Sequence, residues 1–191
     1  MARTPSKEAH EKVLDATYKL ISERGIEGTS MDAIAAESGV SKATVYKHWA
    51  NKDALLIDVV KRQSSNDSAF NSGDPRADLI ALLTYMARRV KSEQLLRVWP
   101  QIVGYAASNP RFARAMHEHI FTPRRDAVVR LLAEAAEKSG LRKDIDPDFA
   151  MDLLIGPVMH RRFLDSGKIP PDMPERVVDF FWKVYAAPKR R

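Results

Sequence analysis

The sequence predicts an all-α protein: a small N-terminal three-helix head followed by a larger helical body, about nine helices in all. Three observations predict it. Apolar residues recur at three- and four-residue intervals along most of the chain, the period of a helix with one buried face. No stretch alternates apolar and polar residues between turn signals, as a half-buried strand would. Glycines, prolines and hydroxyl residues fall mainly where apolar runs begin and end, which is where helices start and stop.

The elements follow in order. Across 7–24, Val13, Leu14, Ala16, Thr17, Leu20 and Ile21 form one stripe, and Gly25 supplies the stop. Thr29 and Ser30 offer capping hydroxyls to a short helix through Ile34 and Ala35, which Gly39 ends. Ser41 caps a third helix containing Val45 and Trp49, and Asn51 opens a fourth carrying Leu55, Leu56, Val59 and Val60. The stretch 63–76 is rich in Ser, Asn, Asp and Gly and holds Pro75, so the domain boundary is expected there. This places the head at 1–52, a connector helix at 52–68 and the body at 69–191. Body helices are expected over 76–91, 93–108, 110–139, 147–166 and 173–187, with Pro157 kinking its helix.

Composition narrows the class. The chain has no apolar run near the ~20 residues that span a bilayer, and its N-terminus is charged, so no membrane or secretory signal is expected. It has no cysteine, which excludes disulfides and thiolate metal sites and fits a cytoplasmic protein. The net charge of +6 favours an anionic partner, and its placement says more than its sum. Residues 41–52 hold three lysines and no acid, whereas 1–40 mix both signs; Lys189, Arg190 and Arg191 form a basic tail expected to be solvated.

The segment 31–49 has the logic of a helix-turn-helix. Ile34 anchors the first helix, Ala35 lets a second cross closely, and Gly39 can take the left-handed conformation of the tight turn. Val40, Val45 and Trp49 point the second helix's inner face at the core. Lys42, Thr44, Tyr46, Lys47 and His48 are left on or near its outer face. These side chains suit DNA: lysine neutralises phosphate, lysine and threonine reach base edges, and tyrosine and histidine donate to phosphate oxygens. Lys52 can meet the backbone at the next helix's start.

These residues resemble the TetR/AcrR family of repressors across roughly 8–60. The likeness is carried by residues 16–26, by Gly28-Thr29-Ser30-Met31-Asp32-Ala33-Ile34-Ala35, by the run from Gly39 to Trp49, and by Asn51-Lys52-Asp53-Ala54-Leu55-Leu56. Trp49 stands where the family more often has Phe, and Ala43 where Gly or Ala is usual. The resemblance implies an Ω-shaped homodimer whose heads enter major grooves of double-stranded DNA and whose body binds a small molecule. It implies a phosphate contact from Thr29, and further DNA contacts from Ser41, Lys42, Ala43, Thr44, Tyr46, Lys47, His48 and Lys52. Arg3 could act as a minor-groove arm. In the body, Pro110, Arg124-Arg125, Asp146-Pro147 and the run from Leu153 to Pro157 look like one subgroup.

Within this ligand-binding and dimerisation body, the last helix is richer in apolar residues than one inward stripe needs. Val177, Phe181 and Trp182 are the expected dimer contacts, in a four-helix bundle with the 147–166 helix. Leu83, Met86, Trp99, Tyr105, Met116, Phe121 and Met159 are candidates to line a pocket for a largely apolar effector. His117, His119 and His160 have no supporting cysteine or compact carboxylate set, so neither metal nor cofactor is expected. No glycine-rich phosphate loop, nucleophile elbow or paired-histidine motif points to an enzyme. The expected function is a ligand-responsive repressor released from a palindromic operator; the alternative is an architectural DNA-binding protein without a ligand.

Overall fold

The computed structural model describes residues 5–64, 70–89, 93–165 and 168–187. Arg3, the basic tail at 189–191 and the expected helix ends at 65–68, 90–91 and 166 lie outside the described residues. Among those described, ten α-helical segments form: α1 (Pro5–Arg24), α2 (Met31–Ser38), α3 (Lys42–His48), α4 (Lys52–Ser64), α5 (Pro75–Arg89), α6 (Glu93–Ser108), α7 (Pro110–Met116), α8 (Thr122–Lys138), α9 (Pro147–Phe163) and α10 (Met173–Tyr185). A π turn, His117–Phe121, joins α7 to α8, so one helical run covers the single helix expected from Pro110 onward. The fold is all-α, with an N-terminal helix-turn-helix and a helical C-terminal body.

Two compact units are present. The first takes in Met1–Ser65 together with Gln94–Ile120. Its core begins with α1, where Val13, Leu14, Leu20 and Ile21 are buried on one face. The buried Thr17 hydroxyl is satisfied by donating to the Val13 carbonyl at 2.7 Å. Ile34 of α2, Val45 of α3 and Leu55, Leu56 and Val59 of α4 close against this face. Val98 and Ile102 of α6, with Phe112 and Met116 of α7, complete the same core.

The second unit is Asn66–Glu93 with Phe121–Arg191. Leu79 and Leu83 of α5, Val128, Leu131 and Leu132 of α8, Leu154 of α9, and Val178 and Phe181 of α10 share its core. Ion pairs lace its surface, Arg76 to Asp179 between α5 and α10 and Arg125 to Asp148 between α8 and α9. An antiparallel bridge, Leu141 with Ala186, pins the α8–α9 loop to the end of α10. There the Arg142 amide donates to Tyr185 at 2.9 Å and the Ala187 amide to Gly140 at 2.7 Å.

Candidate nucleic-acid interface

Local chemistry sets the geometry of α2 and α3. Ser30 is extended at φ −105° and its hydroxyl accepts from the Ala33 amide at 3.1 Å, capping α2. Gly39 ends α2 at φ +66°, a conformation that disfavours any residue with a Cβ. Two residues on, the Ser41 hydroxyl accepts from the Thr44 amide at 3.2 Å and starts α3. Trp49 closes α3, its amide donating to the Val45 carbonyl at 2.9 Å. Asn51 then accepts from the Ala54 amide at 3.0 Å and opens α4.

This framing fixes which face of α3 is free. Val45 and Trp49 are buried, and Val40 packs on the same core. Ser41, Lys42, Ala43, Tyr46, Lys47 and His48 are exposed, and Thr44 is half-buried with its hydroxyl 2.8 Å from that of Ser41. Tyr46 leaves 49% of its surface open, a large ring exposed among these polar side chains. The face is not free of acid in space, although residues 41–52 hold none. Asp32 of α2 reaches the Lys42 ammonium at 2.7 Å. Both side chains are well exposed, so the pair holds Lys42 only loosely and a phosphate can displace it.

Two expected contacts sit differently from the sequence reading. Thr29 is turned inward: it is 1% exposed, and its hydroxyl donates to the Gly25 carbonyl at 2.7 Å. Its side chain is therefore committed to the turn after α1 and does not offer the phosphate contact expected of it. Ser30 beside it is exposed. The Lys52 ammonium donates to the Ile26 carbonyl at 2.8 Å and lies 5.9 Å from the Tyr105 ring centre. An ammonium has three donors, so that inward bond leaves Lys52 capacity for a phosphate.

Sequence reasoning missed the side chains behind α3. The Trp49 indole donates to Asp58 of α4 at 2.9 Å, and His10 of α1 lies against the Trp49 ring with centroids 4.6 Å apart. Lys19 of α1 bonds Glu37 of α2 at 2.5 Å. That hydrogen bond lowers the Glu37 carboxyl and raises the Lys19 ammonium from their ordinary values. These partners lie far apart in sequence, and no local pattern marks them.

In the body the candidates divide. Trp99, Tyr105 and Met116 pack in the first unit, while Leu83, Met86, Phe121 and Met159 belong to the second. Neither unit by itself brings all seven together. The Tyr105 hydroxyl donates to Asp53 at 2.8 Å and accepts from Asn109 at 3.1 Å. His117, His119 and His160 are exposed. On α10 one of the three expected dimer contacts is turned into the chain's own core. Phe181 is 2% exposed and packs on Tyr185 inside its own unit, and Val177 and Trp182 are half-buried against that core. The outward apolar face is Phe180, 67% exposed, with Val184 one turn on.

A capped helix pair with an anchored inner face and an exposed, lysine-bearing outer face defines a helix-turn-helix DNA-binding protein. Comparison with known proteins gives the same class. Residues 13–59 match the bacterial regulatory proteins of the tetR family, and residues 71–181 match the tetracyclin repressor-like C-terminal domain. The chain belongs to the TetR family of transcription regulators. It is 29% identical over 161 residues to the uncharacterized helix-turn-helix regulator YdeS of Bacillus subtilis, covering 84% of this chain and 81% of YdeS. It is 25% identical to the DNA-binding transcriptional repressor TetR of Mycobacteroides abscessus, covering 94% of each. The solved structure of the flavonoid-responsive regulator FrrA aligns with a TM-score of 0.69 at 25% identity, covering 95% of this chain and 98% of that one. No helix among the described residues is long and apolar enough to cross a membrane.

Proposed function

We propose that this protein is a cytoplasmic, ligand-responsive repressor that binds a palindromic DNA site as a homodimer and leaves it when a largely apolar small molecule binds the body. The observation that carries this reading is the outer face of α3, where Lys42, Tyr46, Lys47 and His48 stand exposed over a buried inner face. Lys47 and Thr44 read base edges; Tyr46, His48 and Lys52 hold phosphates. Phe180 and Val184, with the exposed Phe149 of α9, supply apolar area for a symmetry-related copy. The repressor activity of the Mycobacteroides relative and the flavonoid response of FrrA support repression and an aromatic or apolar effector.

The test is selection of duplexes from a random pool with the purified protein, followed by titration at several salt concentrations. A near-palindromic site and a steep salt dependence are expected, since each phosphate neutralised contributes about −0.9 to the slope of log affinity against log salt. Lys47→Ala should change the base preferred at one position of each half-site, by ~1–3 kcal/mol. Tyr46→Phe should weaken all sites alike. Recovery of the parental site by the Lys47 variant would overturn its role. Effectors found by screening must bind less tightly in the presence of the duplex, by the same factor by which they weaken DNA binding.

A further inference from the structure

We propose that Asp32 is a specificity-determining residue: its carboxylate holds the Lys42 ammonium at the start of α3, so that Lys42 reads a guanine edge and is turned away from phosphate. The inference rests on α3 being the helix that reads DNA. It gives Lys42 a role distinct from the phosphate contacts of Tyr46, His48 and Lys52.

The two side chains come from the two helices of the pair. Asp32 lies in the first turn of α2, and Lys42 is the first residue of α3. Asp32 Oδ2 and the Lys42 ammonium are 2.7 Å apart, with 60% of the Asp32 side chain and 62% of the Lys42 side chain exposed. The backbones that carry them are fixed by the Ser30 and Ser41 caps and by the left-handed Gly39 between the helices. The other charges nearby are arranged differently. Lys47, the second lysine of α3, is exposed and forms no ion pair among the described residues. Glu37, the second acid of α2, is taken up by Lys19 of α1. An acid thus faces the lysine at the start of α3 and not the one at its end.

Placement and charge together decide what Lys42 can hold. In a helix-turn-helix the first residues of the second helix meet base edges. An ammonium has three donors, so one spent on Asp32 leaves two. Guanine presents two acceptors, N7 and O6, to the major groove. That edge carries no net charge, so it can join Lys42 while the carboxylate stays. A phosphate instead brings a second anion beside Asp32, and either the pair breaks or two like charges share one ammonium. An exposed pair is weak, so Asp32 biases the choice and does not lock it. The same carboxylate opposes sequence-independent binding, which is driven by cations meeting phosphates. Asp32 therefore lowers affinity for every duplex, and least for one that offers guanine to Lys42.

The experiment compares the full-length wild type with Asp32→Asn, Asp32→Glu, Lys42→Ala and the Asp32→Asn/Lys42→Ala double variant, each checked for folding by a thermal melt. Asp32→Ser repeats the test should Asn unsettle α2. Each protein selects duplexes from a random pool, and is then titrated with its selected site and with a scrambled duplex at several salt concentrations. The wild type should require guanine at one position of each half-site, and Lys42→Ala should lose that requirement with little change in salt slope. Asp32→Asn should relax the same position and tighten binding to the scrambled duplex by about twofold to fivefold per head, the range of an exposed ion pair. Its salt slope should steepen by up to about 0.9 per head, the share of one more phosphate neutralised. Asp32→Glu keeps the charge and should keep the guanine. In the Lys42→Ala background, Asp32→Asn should relax no further position. A merely structural part for Asp32 in starting α2 would shift the melt and both duplexes alike, without relaxing one base. Lys42→Ala that keeps every base preference and flattens the slope would make Lys42 a phosphate ligand and overturn the proposal. An Asp32→Asn protein that still requires the guanine would overturn it too. Failure of the wild type to select any duplex would overturn the reading of α3 and this inference with it, whereas a selected site indifferent to Asp32 would overturn this inference alone.

Discussion

Neighbouring phenylalanines on α10 give the sharpest test of where the chain's own core ends. Phe181 is 2% exposed, in contact with the Tyr185 ring at 4.7 Å between centroids, whereas Phe180 is 67% exposed. Truncating a fully buried Phe costs about 3–5 kcal/mol through lost transfer energy and the cavity left behind. At roughly 2–4 °C per kcal/mol for a chain of this size, Phe181→Ala should lower Tm by about 6–20 °C. Phe180→Asp removes little from the protomer, and a surface change of that kind normally shifts stability by about 0.5 kcal/mol or less. In a dimer closed over Phe180, however, it buries an unpaired charge and should split the assembly. Sedimentation velocity at micromolar concentration reads the assembly; melts at several protein concentrations read stability, because a dimer's Tm depends on concentration. A Phe180→Asp protein that still sediments as a dimer would refute the placement of the interface. A Phe181→Ala protein with wild-type stability would refute the assignment of that ring to the core.

Two further outcomes are expected. Gly39→Ala meets no atom within 4 Å of the added Cβ, so its cost is the left-handed backbone alone. It should lower unfolding free energy by about 1 kcal/mol in urea without changing the m-value. Burial first, and then the bond to Asp53, raise the Tyr105 phenol above its usual value. A raised tyrosine stabilises the folded state below its unfolded value and loses that contribution as pH climbs through the folded one. Tyr105→Phe should therefore cost ~0.5–1.5 kcal/mol near pH 7, with the difference from wild type vanishing at strongly alkaline pH in paired urea titrations.

What could be read from sequence was what local chemistry decides. Ser30, Ser41, Asn51 and Gly39 mark helix ends because a hydroxyl, an amide or a missing Cβ acts within three residues of itself. The buried side of α3 followed from helical period. Thr29 defeated the reading because its hydroxyl suits a phosphate and a nearby carbonyl equally, and Gly25 lies within reach. Phe181 misled because richness in apolar residues does not give phase; Val178 and Phe181 share one face of α10, Phe180 and Val184 another. Asp32 beside Lys42, and Asp58 beside His10, are products of tertiary packing with no signal in spacing.

Ile102, Phe112 and Met116, encoded well beyond the helix-turn-helix, are each 2% exposed or less within the unit that contains it. That arrangement bears on the construction of hybrid regulators. A chimera spliced after residue 65 would graft foreign side chains onto surfaces shaped for this isoleucine, phenylalanine and methionine. Mismatched volume there should cost about 1–3 kcal/mol per overpacked position and more per cavity. A transplantable reading head is therefore a discontinuous piece of chain, Met1–Ser65 with Gln94–Ile120, and sensors exchanged around it must keep that second segment.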